Sequence, residues 1–232
     1  MLKTGIQLLN TRFPLYTCGN DKIRCRGTMT VDNSYQEEVA RYVRLTYERR
    51  LTPGVGGNMS CKVGDRIYIT PALANMRELK AEEVVVVDLG GNPLSKGRPA
   101  IETPMHTFIY EKHPDVSAIL HVHAPYAVAL SFLVDKIDLI TVEARYLLGP
   151  VPVVPETRPG AIELAKSVSA TVKKLPEKIT GVDLLGEEVC RAVVIKTHGV
   201  VTVGKTLREA FDLAEILEDT CRVAYLRDTW KS

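Results

Sequence analysis

The chain has 232 residues, of which 45% are hydrophobic and 25% charged, and its 30 basic residues nearly balance 28 acidic ones for a net charge of +2. So small a net charge gives no electrostatic reason to expect nucleic acid as a partner, and no apolar run approaches the ~20 residues that span a membrane. Five cysteines without a CxxC pair favour reduced thiols and a cytoplasmic location over a disulfide framework.

The N-terminal part of the chain shows no sustained period. Residues 1–32 carry scattered glycine and proline with mixed charge, so we expect an irregular arm there. Regular structure is predicted to begin at Ser34, which can form a capping box with Glu37 at the start of a helix. From residue 33 to residue 232, helices and strands alternate without an internal repeat, which predicts a single α/β domain.

A glycine-rich segment, Gly56-Gly57-Asn58-Met59-Ser60, leads into the first predicted strand. Its backbone amides and the Asn58 side-chain amide are the kind of surface that binds an anion, although glycine-rich turns are common. Gly64-Asp65 then separates two strand-like runs, which predicts a hairpin.

A second helix is predicted to open at Thr103-Pro104, because threonine can cap a helix and proline suits its first turn. Glu102 precedes it directly. A carboxylate in this position is either an ordinary surface group near a helix start or, beside a metal ion, a ligand or a general base.

Two histidines share one face of the next predicted strand. Residues 117–123 read as a strand, and successive side chains of a strand alternate, so His121 and His123 project the same way. Imidazole is the commonest protein ligand for a transition metal. Such a pair can also be two satisfied polar groups on a half-buried sheet.

A third histidine, His198, stands in Lys196-Thr197-His198-Gly199 at the end of an apolar strand. A second capping box, Thr206 with Glu209, then opens the last helix. The chain has only five histidines, and three of them lie at strand ends or on one strand face. This concentration favours a metal site over separate structural histidines.

In this order and spacing, the motifs GNMS, IETPMH, HVHAPYA and THG resemble the class II aldolase/adducin family over about residues 35–228. The resemblance implies a three-layer α/β/α fold with a central, largely antiparallel sheet. It also implies Zn²⁺, or another divalent cation such as Mn²⁺ or Co²⁺, held by His121, His123 and His198. Homotetramers with the active site at a subunit interface are usual in the family.

The activity implied is that of a metal-dependent lyase, a class II aldolase. Members include fuculose-phosphate and rhamnulose-phosphate aldolases, ribulose-phosphate 4-epimerases and methylthioribulose-phosphate dehydratases. The resemblance therefore suggests retro-aldol cleavage of a small ketose or ketose phosphate. In the aldolases, the residue matching Glu102 is a metal ligand that leaves the metal when substrate binds and then carries the proton. A dehydratase or decarboxylase on the same metal site, and a non-catalytic adducin-like interaction domain, are the alternatives.

The chain departs from the family in its phosphate pocket. Phosphate-binding members carry Thr-Gly and Ser-Ser where this chain has Ala72-Leu73 and Ala100-Ile101. Only Gly57 and Asn58 of the usual pocket remain, and these are the candidate substrate-binding residues. Either a basic residue compensates for the missing phosphate contacts or the substrate is not the usual sugar phosphate. The basic residues that could compensate are Arg77, Lys80 and Arg98.

Two further departures concern acid–base groups. Arg145 stands where the epimerases carry an aspartate, and a permanent cation cannot exchange a proton near neutral pH, which argues against epimerisation. The tyrosine that protonates the leaving aldehyde in fuculose-phosphate aldolases has no clear counterpart. An ungapped match places Thr141 there, with Glu143 and Tyr146 as nearby alternatives.

Overall fold

The computed structural model describes residues 31–173 and 189–230. Six α-helices and eight strands lie in these ranges. In chain order they are α1 Val31–Glu48, β1 Asn58–Val63, β2 Arg66–Ile69, β3 Val85–Asp88, α2 Thr103–Lys112, β4 Ala118–Val122, α3 Pro125–Ser131, β5 Lys136–Ile137, α4 Val142–Leu147, β6 Val151–Val154, α5 Ile162–Thr171, β7 Ala192–Ile195, β8 Gly199–Gly204 and α6 Leu207–Thr229.

The strands form one eight-stranded sheet in the order β3-β2-β1-β4-β8-β7-β6-β5. Neighbouring strands are antiparallel except β6 and β7, which are parallel. Strand β4 therefore lies between β1 and β8, so that His121 pairs with Asn58 on one side and with Val201 on the other. This pairing joins three of the predicted motifs at the centre of the sheet.

The sheet separates two apolar cores. Leu120 and Val122 of β4 face a core that includes side chains of α1, α3 and α6. Ile119 faces a second core with Met105 of α2 and Leu164 of α5. His121 lies on the same face as Ile119, because side chains of a strand alternate. The three-layer α/β/α fold with a largely antiparallel sheet is confirmed.

Some local expectations held and others did not. The hairpin forms at Gly64, whose positive φ of 57° suits glycine, and Thr206 caps α6 by accepting a hydrogen bond from the Glu209 amide.

The predicted caps of α1 and α2 are wrong. Helix α1 begins at Val31, so Ser34 lies inside it. Helix α2 has Glu102 at its cap position, and the Thr103 hydroxyl donates to the Ala100 carbonyl instead.

The predicted N-terminal arm falls almost wholly outside the described residues, since only its last two residues, 31 and 32, belong to α1. Among the residues that the structure does describe, no helix is both long and apolar enough to cross a membrane.

Candidate metal centre

The three predicted histidines come together at one end of the central strands. His121 lies in β4, His123 follows the end of that strand, and His198 lies in the tight turn between β7 and β8. Antiparallel pairing of β4 with β8 places the turn beside the end of β4. The site therefore depends on the pairing of strands that are distant in the sequence.

The imidazole rings form a nearly equilateral triangle. Their centroids are 5.1 Å apart between His121 and His123, 4.9 Å between His121 and His198, and 5.0 Å between His123 and His198. One ring nitrogen from each histidine lies within 4.8 Å of the other two. Three nitrogens at this separation can reach a single cation placed among them.

The His121 ring is fixed by a hydrogen bond on its far side. Its Nδ1 lies 3.0 Å from the Val200 carbonyl oxygen, which can only accept, so Nδ1 carries the proton. In the neutral ring, Nε2 then presents a lone pair towards Glu102 Oε2, 3.2 Å away. Neither His121 Nε2 nor Glu102 Oε1 has a hydrogen-bond partner, and both are buried. His121 Nε2 and Glu102 Oε2 face each other as acceptors, and a cation, or a proton, between them stabilises this arrangement.

Glu102 completes the group from the N-terminal end of α2. Its side chain is only 5% exposed, and Oε1 lies 3.7 Å from His198 Nε2. Burial alone would raise the pKa of the carboxyl. The His121 imidazole, a hydrogen bond from Asn58 and the His198 imidazole act in the opposite direction and lower the pKa below its usual value. Glu102 is therefore a buried carboxylate.

The remaining imidazoles are held in their neutral form. Burial, followed by the nearby His121 and His198, lowers the pKa of His123 to about 4. Burial also lowers the pKa of His198. A histidine must be neutral to donate a nitrogen lone pair to a metal, so these surroundings favour ligation at neutral pH.

The residues present fit a divalent cation. Three neutral imidazoles and one carboxylate are a donor set that Zn²⁺ and other first-row divalent ions accept. His198 Nδ1 likewise has no hydrogen-bond partner among the described residues. Within residues 31–173 and 189–230, no other group of histidine, cysteine, aspartate or glutamate side chains converges in this way.

Glycines let the backbone approach the histidines closely. A Cβ on Gly57, which has a φ of 77°, would stand 2.5 Å from the His121 carbonyl oxygen. A Cβ on Gly199 would stand 2.5 Å from the Val122 carbonyl oxygen and 2.9 Å from the His121 ring. Because these separations are shorter than real Cβ contacts, both positions require glycine. The glycines of the GNMS and THG motifs therefore let β1 and β8 approach β4 closely at the end that carries the histidines.

A cavity of about 200 Å³ opens beside the imidazoles. Leu73, 79% exposed, and Ile101, 50% exposed, are among the residues that line it. Leu73 has a φ of 57°, a conformation that favours glycine. The other lining residues are Val55, Gly56, Gly57, Asn58, Pro71, Ala72, Ala74, Ala100, Glu102, His121, His123, Pro159 and His198. Among the described residues, no arginine or lysine lines this cavity.

The backbone around the phosphate-pocket positions is partly committed to hydrogen bonds. The Ala72 amide donates to the Arg98 carbonyl at 2.9 Å, and the Ala100 amide donates to the Thr70 carbonyl at 3.0 Å. Four backbone amides could have donated hydrogen bonds to a phosphate, those of Ala72, Leu73, Ala100 and Ile101. Two of them are thus already bonded within the protein. The Arg77 guanidinium stacks on the Tyr47 ring, 5.2 Å from its centroid, and does not line the cavity.

Asn58 has a role in the site that its sequence motif did not reveal. Its Nδ2 donates to Glu102 Oε2 at 3.0 Å, and its Oδ1 lies 2.6 Å from His106 Nε2. His106 is fully buried, and burial lowers its pKa to about 3. Sequence reasoning missed His106, although it follows Glu102 by four residues on one helix and so lies on the same helix face.

The candidate counterparts of the family tyrosine lie elsewhere in the chain. Thr141 and Glu143 line a separate cleft of about 440 Å³, whereas Tyr146 lines neither that cleft nor the cavity beside the histidines. In this cleft the Glu218 carboxylate accepts hydrogen bonds from the amides of Tyr126 and Ala127 at the start of α3. The cleft is larger than the cavity beside the histidines, but among the described residues no histidine lines it. Arg145, Lys80 and Arg98 do not line the histidine cavity either.

Comparison with known proteins gives consistent matches along most of the chain. Residues 37–225 match the model of the Class II Aldolase and Adducin N-terminal domain. The L-fuculose phosphate aldolase of Methanococcus maripaludis is 36% identical over 81% of this chain and 94% of its own. The 3-oxo-tetronate 4-phosphate decarboxylase of Haemophilus influenzae is 32% identical over 85% of this chain and 94% of its own. The solved structure of YgbL from Klebsiella pneumoniae, described as a candidate aldolase/epimerase/decarboxylase, has a TM-score of 0.72 at 28% identity and covers 85% of this chain and 91% of that one.

Proposed function

Because the chain belongs to the class II aldolase and adducin family, we propose that it is a divalent-metal-dependent lyase that cleaves a ketose or ketose phosphate by a retro-aldol reaction. The observation that carries the proposal is the buried Glu102 carboxylate directed at three converging imidazoles. An adducin-like interaction domain gives no reason for this arrangement, because burying a carboxylate whose Oε1 has no hydrogen-bond partner among the described residues is costly.

In this proposal His121, His123 and His198 hold the cation, and Glu102 is a fourth ligand before substrate binds. When bound, a divalent cation supplies a Lewis acid that polarises the substrate carbonyl and stabilises the negative charge left by cleavage. Zn²⁺ suits the imidazole ligands best, with Mn²⁺ and Co²⁺ as other candidates. Gly57 and Asn58 line the cavity and are the proposed substrate-binding residues.

Glu102 is proposed to move the proton. In a retro-aldol cleavage the C–C bond breaks as the hydroxyl of the departing carbon gives up its proton and becomes the aldehyde oxygen. The electron pair of the broken bond stays on the other carbon, which must then receive a proton. Glu102 Oε1 is the atom suited to this step, because it has no hydrogen-bond partner, whereas Oε2 is held by Asn58. A carboxylate displaced from a cation regains its affinity for a proton, so the same group can serve as ligand and then as acid or base.

Decarboxylation is the second candidate reaction. It is favoured by the 32% identity to a 3-oxo-tetronate 4-phosphate decarboxylase. The loss of carbon dioxide from a 3-oxo acid also leaves negative charge beside a carbonyl, and the same carbon must then be protonated. Both reactions therefore assign the same roles to the site residues, with His121, His123 and His198 as metal ligands and Glu102 as the proton carrier.

We also propose that the protein is a homotetramer with active sites between subunits, as the family resemblance implies. No Thr141, Glu143 or Tyr146 side chain lines the cavity within a single chain. An interface would let this segment of one subunit supply, to the cavity of the next, the missing group that exchanges a proton with the aldehyde oxygen. The exposed side chains of Phe132 and Leu133, 61% and 79% accessible, offer apolar surface for such an interface.

Product analysis separates the two reactions. The metal-loaded protein is incubated with L-fuculose 1-phosphate, unphosphorylated ketoses and 3-oxo sugar-acid phosphates, and the products are followed by NMR. The proposal expects an aldehyde and a smaller ketone from a ketose, in a reaction that a chelator abolishes. Release of carbon dioxide from the acids alone would establish the decarboxylase, and the absence of metal-dependent cleavage in every case would refute the lyase assignment.

The cavity lining predicts weak use of L-fuculose 1-phosphate. Each hydrogen bond to a charged group contributes about 1.5–3 kcal/mol, so two or three missing bonds would reduce kcat/KM by about two orders of magnitude at the low end. Replacing Ala100 and Ile101 together by Ser should restore at least one such bond and raise kcat/KM for this substrate by at least about tenfold. The measurement is a paired kinetic comparison with unphosphorylated L-fuculose, on which the variant should act like the wild type.

Arg77 provides the internal control for this prediction. Since its guanidinium stacks on Tyr47 outside the cavity, Arg77→Ala should leave the kinetics with both substrates unchanged. A wild-type kcat/KM for L-fuculose 1-phosphate in the ordinary enzymatic range of about 10⁴–10⁸ M⁻¹s⁻¹, together with no effect of Arg77→Ala, would show that the pocket argument is wrong.

Ser131 is predicted to support metal binding through the turn that carries His198. Thr197 has a φ of 62°, which is costly for a β-branched residue, and the buried Ser131 hydroxyl oxygen accepts a hydrogen bond from its amide at 3.0 Å. Ser131→Ala removes this support, so His198 should be held less firmly. We expect metal affinity, measured by competition with a chelator, to fall by about 10–100-fold.

A matched control is Ser169→Ala, since Ser169 is also buried but contacts His113, away from the site. Ser169→Ala should keep wild-type affinity. Equal metal affinities for Ser131→Ala and wild type would disprove the supporting role.

A further inference from the structure

A continuous series of buried polar groups leads from the protein interior to Glu102. The Tyr110 hydroxyl lies 2.8 Å from Ser60 Oγ, and Ser60 Oγ lies 2.6 Å from His106 Nδ1. His106 Nε2 is 2.6 Å from Asn58 Oδ1, and Asn58 Nδ2 is 3.0 Å from Glu102 Oε2. All of these side chains belong to residues at most 6% exposed, so water does not compete for the hydrogen bonds.

Only one arrangement of protons satisfies the series from Ser60 to Glu102. A carboxylate only accepts, so the Asn58 amide must turn Nδ2 to Glu102 and Oδ1 to His106. Asn58 Oδ1 then needs a donor, which requires a proton on His106 Nε2. With Nε2 protonated, His106 Nδ1 is the acceptor of a neutral ring, so the Ser60 hydroxyl donates to it. The Tyr110 hydroxyl in turn donates to Ser60, either to Oγ or to the carbonyl oxygen at 3.0 Å.

Each donor from the Ser60 hydroxyl onwards therefore points towards Glu102. The elements that carry it are rigid, since Asn58 and Ser60 are on β1, whereas His106 and Tyr110 are on α2. The series ends on Oε2 and leaves Oε1 without a hydrogen bond. The two carboxylate oxygens of Glu102 therefore differ, because Oε2 is held by a hydrogen bond and Oε1 is available to another group.

We propose that His106 is a positioning residue, which fixes the Asn58 amide so that Glu102 is held at Oε2 and presents Oε1 to the substrate. This inference rests on the proposed proton transfer by Glu102. Without the His106 donor, Asn58 Oδ1 is left unpaired in the interior, and the amide is free to rotate and turn its oxygen towards the carboxylate. Repulsion between these oxygens would move Glu102 out of position.

The kinetic test uses two substitutions of His106. His106→Leu has no donor and should lower kcat by about 10–100-fold, with little change in KM or in bound metal. His106→Gln places an amide donor close to the position of Nε2 and should recover most of the loss. His113→Leu is the matched control, because His113 follows the same helix but bonds to Ser169, and it should leave kcat unchanged.

A double-mutant cycle separates positioning from general destabilisation. In the Glu102→Gln background the proton-transfer group is absent, so His106→Leu should lower the residual kcat by less than about twofold. The same 10–100-fold loss in both backgrounds would overturn the proposal, because His106 would then act independently of Glu102.

A second measurement does not depend on activity or on the stability of a variant. In wild-type protein labelled with ¹⁵N-histidine, NMR should show His106 as the neutral tautomer with its proton on Nε2. A proton on Nδ1 would overturn the proposal even in a fully active enzyme. Conversely, the Nε2–H tautomer in a protein that cleaves none of the tested substrates would uphold the hydrogen-bond series while refuting the proposed reaction.

Discussion

Replacing Glu102 by Gln is expected to lower kcat by about 10²–10⁴-fold while the protein keeps most of its metal. The change removes the group proposed to carry the proton but retains its shape and its ability to bond with Asn58. A single positioned acid–base group contributes about this factor, equivalent to roughly 3–5 kcal/mol at the barrier. The measurement is the steady-state kcat on whichever substrate the product analysis identifies, with metal content determined on the same sample.

Glu111→Gln is the control for this substitution. Glu111 lies on the same helix, but its side chain is 65% exposed and pairs only with Lys112 among the described ion pairs. Its replacement should leave kcat and metal content unchanged. If Glu102→Gln turns over at the wild-type rate, the proton is carried by another residue.

His121→Ala and His198→Ala are each expected to lose most of the bound metal while the fold persists. Either substitution removes one of three imidazole ligands. Changes to groups that merely support metal ligands reduce affinity by about 10–100-fold, so the loss of a ligand should exceed about 100-fold. Elemental analysis after dialysis measures the metal, and circular dichroism checks the fold.

His113→Ala serves as the control for the two ligand variants, because His113 bonds to Ser169 away from the cluster. It should retain the wild-type metal content. Unchanged metal content in both His121→Ala and His198→Ala would eliminate the three-histidine site.

The parts of the site that depend on local periodicity could be predicted from the sequence. The alternation of a strand places His121 and His123 on one face, and the structure brings their rings to within 5.1 Å. The position of His198 beside the other two histidines depends on strand pairing, and that of Glu102 depends on the packing of α2 against the sheet. Short-range sequence patterns specify neither. For those two residues, the family resemblance supplied what periodicity could not.

The hydrogen-bonded series behind Glu102 was missed for a related reason. Each half is visible as a local pattern, since Asn58 and Ser60 are two residues apart on a strand and Glu102 and His106 are four apart on a helix. Nothing in the sequence shows that these two faces pack together. The misplaced helix caps have another cause, because Ser34 and Thr103 are residue types that occur both at a cap and within a first turn, so they do not fix the first residue of a helix.

The most direct test of the metal-dependent lyase is a titration of activity with metal. Wild-type protein is stripped with a chelator, and turnover of the identified substrate is measured as Zn²⁺, Mn²⁺ or Co²⁺ is added in steps. The proposed site predicts no turnover in the stripped protein and a rise that saturates at about one equivalent of cation per chain, because the three imidazoles surround a single position. Full turnover by protein shown to contain no metal would contradict it.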